Sequence, residues 1–251
     1  LDGSALGAVR HRGFIPWDDD IDIGMFRKDY NQFLDIAGKS LDNRYFLQTN
    51  RTDPYYYGPY AKLRANNTTY IEKGSKSLGA KMHQGIFIDI FPLDNVPDNE
   101  LLLKMQLLLI RFLFSVAFAR ADSYPENRYK RFLKKLYSTP FLRLMKKSTF
   151  DEIIDKIASF FSNKETDRIA SLFSGYREKE VFPRYYFGEA KYLEFEGYRL
   201  PVPEYYDEYL RQIYGDYMEL PPVEKRGSHD IEYVDIDTSY EEYFMSTHIC
   251  Q

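Results

Sequence analysis

Residues 13–24, GFIPWDDDIDIG, set four aspartates, Asp18, Asp19, Asp20 and Asp22, in five positions between apolar residues. Carboxylates at such spacing repel one another and resist burial. The hydrophobicity of the same stretch nevertheless reads as core, so a compensating positive charge is required. If residues 18–23 run extended, their side chains alternate with period two. Asp18, Asp20 and Asp22 then share one face, while Ile21 and Ile23 turn to the core. A row of carboxylates on a half-buried strand suits magnesium or manganese, hard cations that take oxygen ligands.

A second acidic position lies in GIFIDIFPLD, where Asp89 sits among Ile86, Phe87, Ile88, Ile90 and Phe91. An aspartate inside such a run is costly unless it is paired or metal-bound. Two or three aspartates on one strand and one on another form a layout suited to phosphoryl or nucleotidyl transfer. There a cation bridges phosphate oxygens, and carboxylates hold it or position the attacking hydroxyl. A calcium-loop reading places Asp18, Asp20 and Asp22 at ligand positions. It fails where Ile23 replaces the required glycine and Asp29 the required glutamate. Upstream, Gly3 and Ser4 read as a turn before a helix, SALGAVRHRG, that offers backbone N–H groups to phosphate. Gly13 then stops the helix after Arg10, His11 and Arg12.

The 251 residues are 44% hydrophobic and 17% aromatic, enough for a substantial core. A net charge of −4 gives no basic field for nucleic acid. The single cysteine, Cys250, excludes a disulfide framework and makes a reducing compartment the default. The most apolar window, residues 101–119, is interrupted by Lys104, Gln106 and Arg111. It reads as a buried or interfacial helix, with peripheral membrane contact as the minority reading.

Three zones follow one another without repeats. Residues 1–98 carry the acidic core. Their expected strands are residues 21–25, about 60–63, 69–72 and 86–91, and their expected helix is RKDYNQFLDIAGKSL. Residues 99–180 read as helical, broken at Pro125 and Pro140. Residues 181–251 carry short strands in KYLEFEGYRLPVP and a helix near residues 204–214. The mixture implies an α+β fold in which a small mixed sheet bears the acidic stretch.

LDGSALGAVRHRGFIPWDDDIDIGM resembles the signature of the LicD family, which includes the fukutin-related transferases. The resemblance continues in order through AKLRANNTTYIE, GIFIDIFPLDNVP, the segment from YFGEAKYLEF to GDYMELPP, and EKRGSHD. It implies a nucleotidyltransferase-like mixed sheet with a helical insertion and a C-terminal α/β extension, forming one catalytic domain over residues 1–251. A strand and helix would be expected before Leu1. LicD members transfer phosphocholine from CDP-choline to sugars of bacterial surface glycans, and fukutin-related members transfer ribitol phosphate from CDP-ribitol.

By the same resemblance Gly3 and Ser4 match the family turn, often Gly-Gly. Asp18, Asp20 and Asp22 match the metal-binding aspartates, and Asp89 a third carboxylate. Arg10, Lys62, Arg64, Arg226 and His229 become candidates for the donor phosphates. His11 and His83 read as structural or surface residues, and Trp17 as an anchor of the acidic turn.

The reading is thus a magnesium- or manganese-dependent transferase with a CDP-alcohol donor and a glycan or glycolipid acceptor. It would be cytoplasmic, with the inner face of the membrane as the minority alternative, and with no nucleic-acid partner. The alternatives are a nucleotidyltransferase using an NTP and a sugar phosphate, or a non-catalytic calcium- or glycan-binding module.

Overall fold

The computed structural model describes residues 1–56, 58–120, 147–227 and 230–247. Pro125, Pro140, His229 and Cys250 lie outside the described residues. In chain order the elements are α1 (Asp2–Arg10), β1 (Asp22–Phe26), α2 (Arg27–Ser40), β2 (Tyr45–Gln48), β3 (Ala61–Ala65), β4 (Thr69–Glu72) and β5 (Phe87–Val96). They continue with α3 (Glu100–Arg120), α4 (Lys147–Ala158), β6 (Arg168–Ala170), β7 (Val181–Pro183), β8 (Lys191–Phe195), β9 (Tyr198–Val202), α5 (Tyr206–Tyr214), β10 (Ile231–Asp235) and α6 (Tyr240–Ser246). The fold is mixed α+β, as the sequence implies.

Two units divide the chain. The first comprises Leu1–Gln32, Ile88–Asp98 and Phe161–His229; the second comprises Phe33–Phe87, Asn99–Phe160 and Asp230–Gln251.

In the first unit β1 runs parallel to β5, with Asp22 opposite Asp89 and Gly24 opposite Phe91. From Asp94 onward β5 pairs antiparallel with β6, which pairs with β7. The strand therefore passes through Pro92 and outlasts the predicted end at residue 91, because new pairing and the buried Leu93 and Val96 carry it on. The short strand β6 interrupts what reads as a helical zone. Ala5, Leu6 and Ala8 of α1 join Ile169, Phe182, Phe195, Tyr209, Leu210 and Ile213 in one core. A buried ion pair ties β1's end to β5: Arg27 grips Asp94 bidentately at 2.7 and 2.6 Å. The β8–β9 hairpin turns at Glu196 and Gly197, both with positive φ (52° and 80°), the primed turn that matches strand twist. Its tip holds the loop entering the acidic stretch. Phe14 N–H donates to Glu196 Oε1 at 3.1 Å, and Glu196 N–H donates to the Arg12 carbonyl at 3.0 Å.

In the second unit β2 and β3 form an antiparallel ladder, β4 pairs antiparallel with β10, and α3 packs on α4. Ile71, Tyr240 and Phe244 form a small core where α6 covers β4. Among the described residues no helix is long and apolar enough to cross a membrane.

Candidate active site

The acidic stretch does not enter a strand at Asp18. Asp18 N–H donates to the Ile15 carbonyl at 2.9 Å, which closes a turn, and β1 starts only at Asp22. This corrects the predicted alternation. Asp18, Asp19 and Asp20 each bring a carboxylate oxygen within 4.8 Å of the others, so the turn gathers neighbours that an extended chain would send to opposite faces. Asp19, which the sequence reading left out of the row of cation ligands, belongs to this group.

A second group shares Asp20 with the first. Oxygens of Asp20, Asp22 and Asp89 also lie within 4.8 Å of one another, with Asp89 buried. Backbone register explains the convergence. Asp22 and Asp89 stand side by side on parallel strands, and Asp89 N–H donates to the Ile21 carbonyl at 2.8 Å.

Helix α1 fixes both groups. Gly3 and Ser4 lie in its first turn rather than in a turn before it, since the helix already begins at Asp2. Ser4 Oγ accepts the Asp22 N–H at 2.8 Å and pins the start of β1. A β-carbon on Gly3 would lie 2.3 Å from Asp18 Oδ2, so only glycine admits that carboxylate so close to the helix. The helix N-terminus is also the end that favours negative charge.

Burial first, and then Asp20, push the Asp22 carboxyl up to about 8. Without a cation both effects favour the protonated form of Asp22. Two converging clusters of hard oxygen donors, one of them raised by burial and by its neighbours, have the chemistry of a divalent-cation site.

Behind Asp22 lies a feature that the sequence reading missed. Asp2 is buried; its carboxylate accepts from Tyr209 Oη at 2.8 Å, and its N–H donates to the same oxygen at 3.0 Å. Glu180 is fully buried, and its Oε1 accepts from Ser174 Oγ and from Tyr176 N–H. Glu180 Oε2 has no hydrogen-bond partner among the described residues. Desolvation first, and then the Asp2 charge, push Glu180 up to about 8.

Among the predicted phosphate ligands, Arg10 and Arg226 meet at Trp17, the residue just before the acidic run. Their guanidinium carbons lie 5.9 and 4.8 Å from its ring centroid. Arg10 also donates to the Tyr217 carbonyl at 2.5 Å, and Arg226 to the Pro221 carbonyl at 2.8 Å. Trp17 packs against the core and anchors the turn.

Lys62 and Arg64 belong to the second unit. Lys62 is buried with its ammonium 3.4 Å from the Phe87 ring centroid. Arg64 is 1% exposed and donates to Gln48 Oε1 at 2.5 Å and to the Gly85 carbonyl at 2.6 Å. That burial gives Arg64 a positioning task within its unit. Arg64→Lys should then lower the melting free energy by about 1–3 kcal/mol, because a single ammonium cannot serve both acceptors. Chemical denaturation checks this, and an unchanged midpoint would remove the task. His83, read from the sequence as structural or surface, is buried. It stacks on Phe46, bonds Asn66 at 2.8 Å, and is pushed down to about 4 by burial and Arg64.

Residues 1–145 match the family model described as LicD/FKTN/FKRP, nucleotidyltransferase domain. The lipopolysaccharide cholinephosphotransferase LicD of Haemophilus influenzae is 33% identical over 242 residues, 92% of this chain and 85% of that protein. The chain belongs to the LicD family. Shorter likenesses occur in uncharacterised proteins of Rickettsia typhi, 43% identical over 49 residues, and Rickettsia prowazekii, 63% identical over 27 residues. The first covers 20% of this chain and 16% of its relative, the second 11% and 10%. The match to the LicD family model includes α1, the acidic turn, β1 and β5. All the carboxylates of the two clusters thus lie within it.

Proposed function

We propose that this LicD-family chain is a metal-dependent transferase. It moves a phospho-alcohol group, phosphocholine in the first instance, from a CDP-linked donor to a hydroxyl of a cell-surface glycan. The observation that carries this reading is the convergence of Asp20, Asp22 and Asp89 across two parallel strands. Family membership and the name of the Haemophilus influenzae relative support phosphocholine and a lipopolysaccharide-type acceptor. The parallel β1–β5 pair carrying the carboxylates supports a nucleotidyltransferase-like core, held with the remaining elements as one catalytic domain.

Asp20 and Asp22 would hold magnesium or manganese, with Asp18 assisting, and the group would supply Lewis-acid stabilisation of phosphate charge. The residues of the chain do the rest. Arg10 and Arg226 at Trp17 offer guanidinium donors to phosphate beside the acidic turn. Asp89 completes the cation site or accepts the proton of the acceptor hydroxyl. The acceptor oxygen bonds to the phosphorus nearest the alcohol, the bond from that phosphorus to the bridging oxygen breaks, and CMP leaves with the electron pair.

The test is to incubate the protein with magnesium, a lipopolysaccharide acceptor, and CDP-choline, CDP-ribitol, CDP-glycerol or CTP with sugar phosphates. Acceptor-dependent CMP release is the expected result. Pyrophosphate from CTP, with no CMP from any CDP-alcohol, would overturn it in favour of nucleotidyl transfer.

A further inference from the structure

Arg10 ends α1, and Arg226 comes far later in the chain, yet both guanidiniums lie over the Trp17 ring. A guanidinium has five N–H donors and no acceptor. Arg10 gives one to His11 Nδ1 at 3.4 Å and one to the Tyr217 carbonyl at 2.5 Å. Arg226 gives one to the Pro221 carbonyl at 2.8 Å. Among the described residues no carboxylate forms an ion pair with either. Carbonyl and imidazole acceptors bear only partial charge, so two nearly whole positive charges are left at one ring.

Two such charges repel, and the fold brings them together nevertheless. Burial lowers the pKa of Arg10; Tyr214 opposes the fall, and the Arg226 charge adds to it. The indole accounts for the pairing. Its electron-rich face attracts both cations without supplying a negative charge that would occupy them. Planar forks with spare N–H donors and uncompensated charge recognise a phosphate dianion. Trp17 is bonded to Asp18, so this charge stands beside the first carboxylate of the acidic turn. In the proposed transfer one phosphate gains charge. When the bond to the bridging oxygen breaks, that oxygen keeps the electron pair, and the CMP phosphate goes from one negative charge to two.

We propose that Trp17 is a positioning residue, holding Arg10 and Arg226 as a metal-independent site for a phosphate monoester dianion, the phosphate of the departing CMP. The choice of CMP rests on the proposed transfer. Binding is read without donor, acceptor or cation, so failure of the site is told apart from failure of the transfer.

Trp17 is the single tryptophan of the chain, so its fluorescence reports the site directly. In EDTA, CMP and inorganic phosphate should each shift that emission and give binding heat in calorimetry, and cytidine should do neither. Both should weaken as salt rises, as charge pairing in a partly exposed site must. Trp17→Leu keeps an apolar anchor without the ring and should weaken CMP about tenfold, the scale of one charge-assisted hydrogen bond. Trp17→Phe restores a ring and should recover most of that loss. In an Arg226→Gln background, Trp17→Leu should cost less than in wild type, because part of what Trp17 does is done through Arg226. Should Trp17→Leu melt early, Arg226→Gln with the ring intact gives the second reading, weaker CMP binding and a smaller emission shift. Wild type that ignores CMP in EDTA would overturn the proposal, as would cytidine binding as tightly as CMP. So would CMP affinity unchanged by Trp17→Leu or by Arg226→Gln, or a Trp17→Leu loss equal with and without Arg226, which would leave Trp17 an anchor only. Inorganic phosphate binding far more tightly than CMP would overturn the choice of CMP.

Discussion

Asp22→Asn should abolish transfer, lowering kcat by about a thousandfold or more, while raising the melting temperature of the protein in EDTA. The two effects share one cause. Asp22 is crowded by burial and by Asp20, and its carboxyl is pushed up to about 8. A group with a raised folded-state value loses stability as pH climbs from the ordinary carboxylate range through that value, because the unfolded chain ionises freely and the folded one does not. Asparagine keeps the shape and removes the charge, so the gain in EDTA should be largest at about pH 8.5 and fade in mild acid. Activity moves the other way. Taking one carboxylate from a cation site forfeits several kcal/mol of transition-state charge stabilisation, which sets the thousandfold scale. Magnesium should also raise the wild-type melting temperature more at about pH 8.5 than at about pH 6.5, since a ligand oxygen must give up its proton to bind. Turnover and calorimetric melting, each with magnesium and with EDTA, check this. Wild-type melting indifferent to every divalent cation, together with activity surviving EDTA, would end the metal reading.

Much of the site was legible because its chemistry is local. The acidic run and the apolar neighbours of Asp89 are visible within a few residues, and β1, β4 and α2 form close to where periodicity puts them; the expected stop at Gly13 comes earlier, α1 ending at Arg10 with His11 as its cap and Arg12 taking the left-handed conformation. The failures are instructive. The period-two rule left Asp19 out of the row of Asp18, Asp20 and Asp22 because it presumed a strand, whereas the Ile15 carbonyl takes the Asp18 N–H and bends the chain. Arg64 reads as a phosphate fork in KLRANNTTY, but Gln48 and Gly85, distant in sequence, enclose its guanidinium. Asp2 and Glu180 stand 178 positions apart in the sequence and carry no motif. Only folding puts Tyr209 on one of them and Ser174 on the other. Local pattern reports which residues could do chemistry; burial, which decides their protonation, is set by partners that the pattern cannot reach.

Glu180 is where that burial should be measurable. Its carboxyl is fully buried, and one oxygen is left without a hydrogen-bond partner among the described residues. Desolvation, with Asp2 adding like charge, raises it from 4.5 to about 8, and burial raises Asp2 in the same direction. The folded protein therefore keeps a proton that the unfolded chain releases above pH 4.5. Stability is full below that point and is lost as pH rises toward 8, by about 3–5 kcal/mol if Glu180 acts alone at 1.36 kcal/mol per unit. Glu180→Gln retains an acceptor for Ser174 and Tyr176 but cannot ionise. The variant should be more stable than wild type at about pH 8.5, nearly equal to it at about pH 5, and flatter between them. Urea denaturation in EDTA across this range, with Asp22→Asn as the background, isolates the contribution of Glu180 from that of the acidic turn. A protein with Glu180 intact whose stability rises from pH 5 to 8.5 in that background, or a Gln variant that follows the same slope, would show that Glu180 is ionised in the folded state, with a cation or a solvent path that its burial denies.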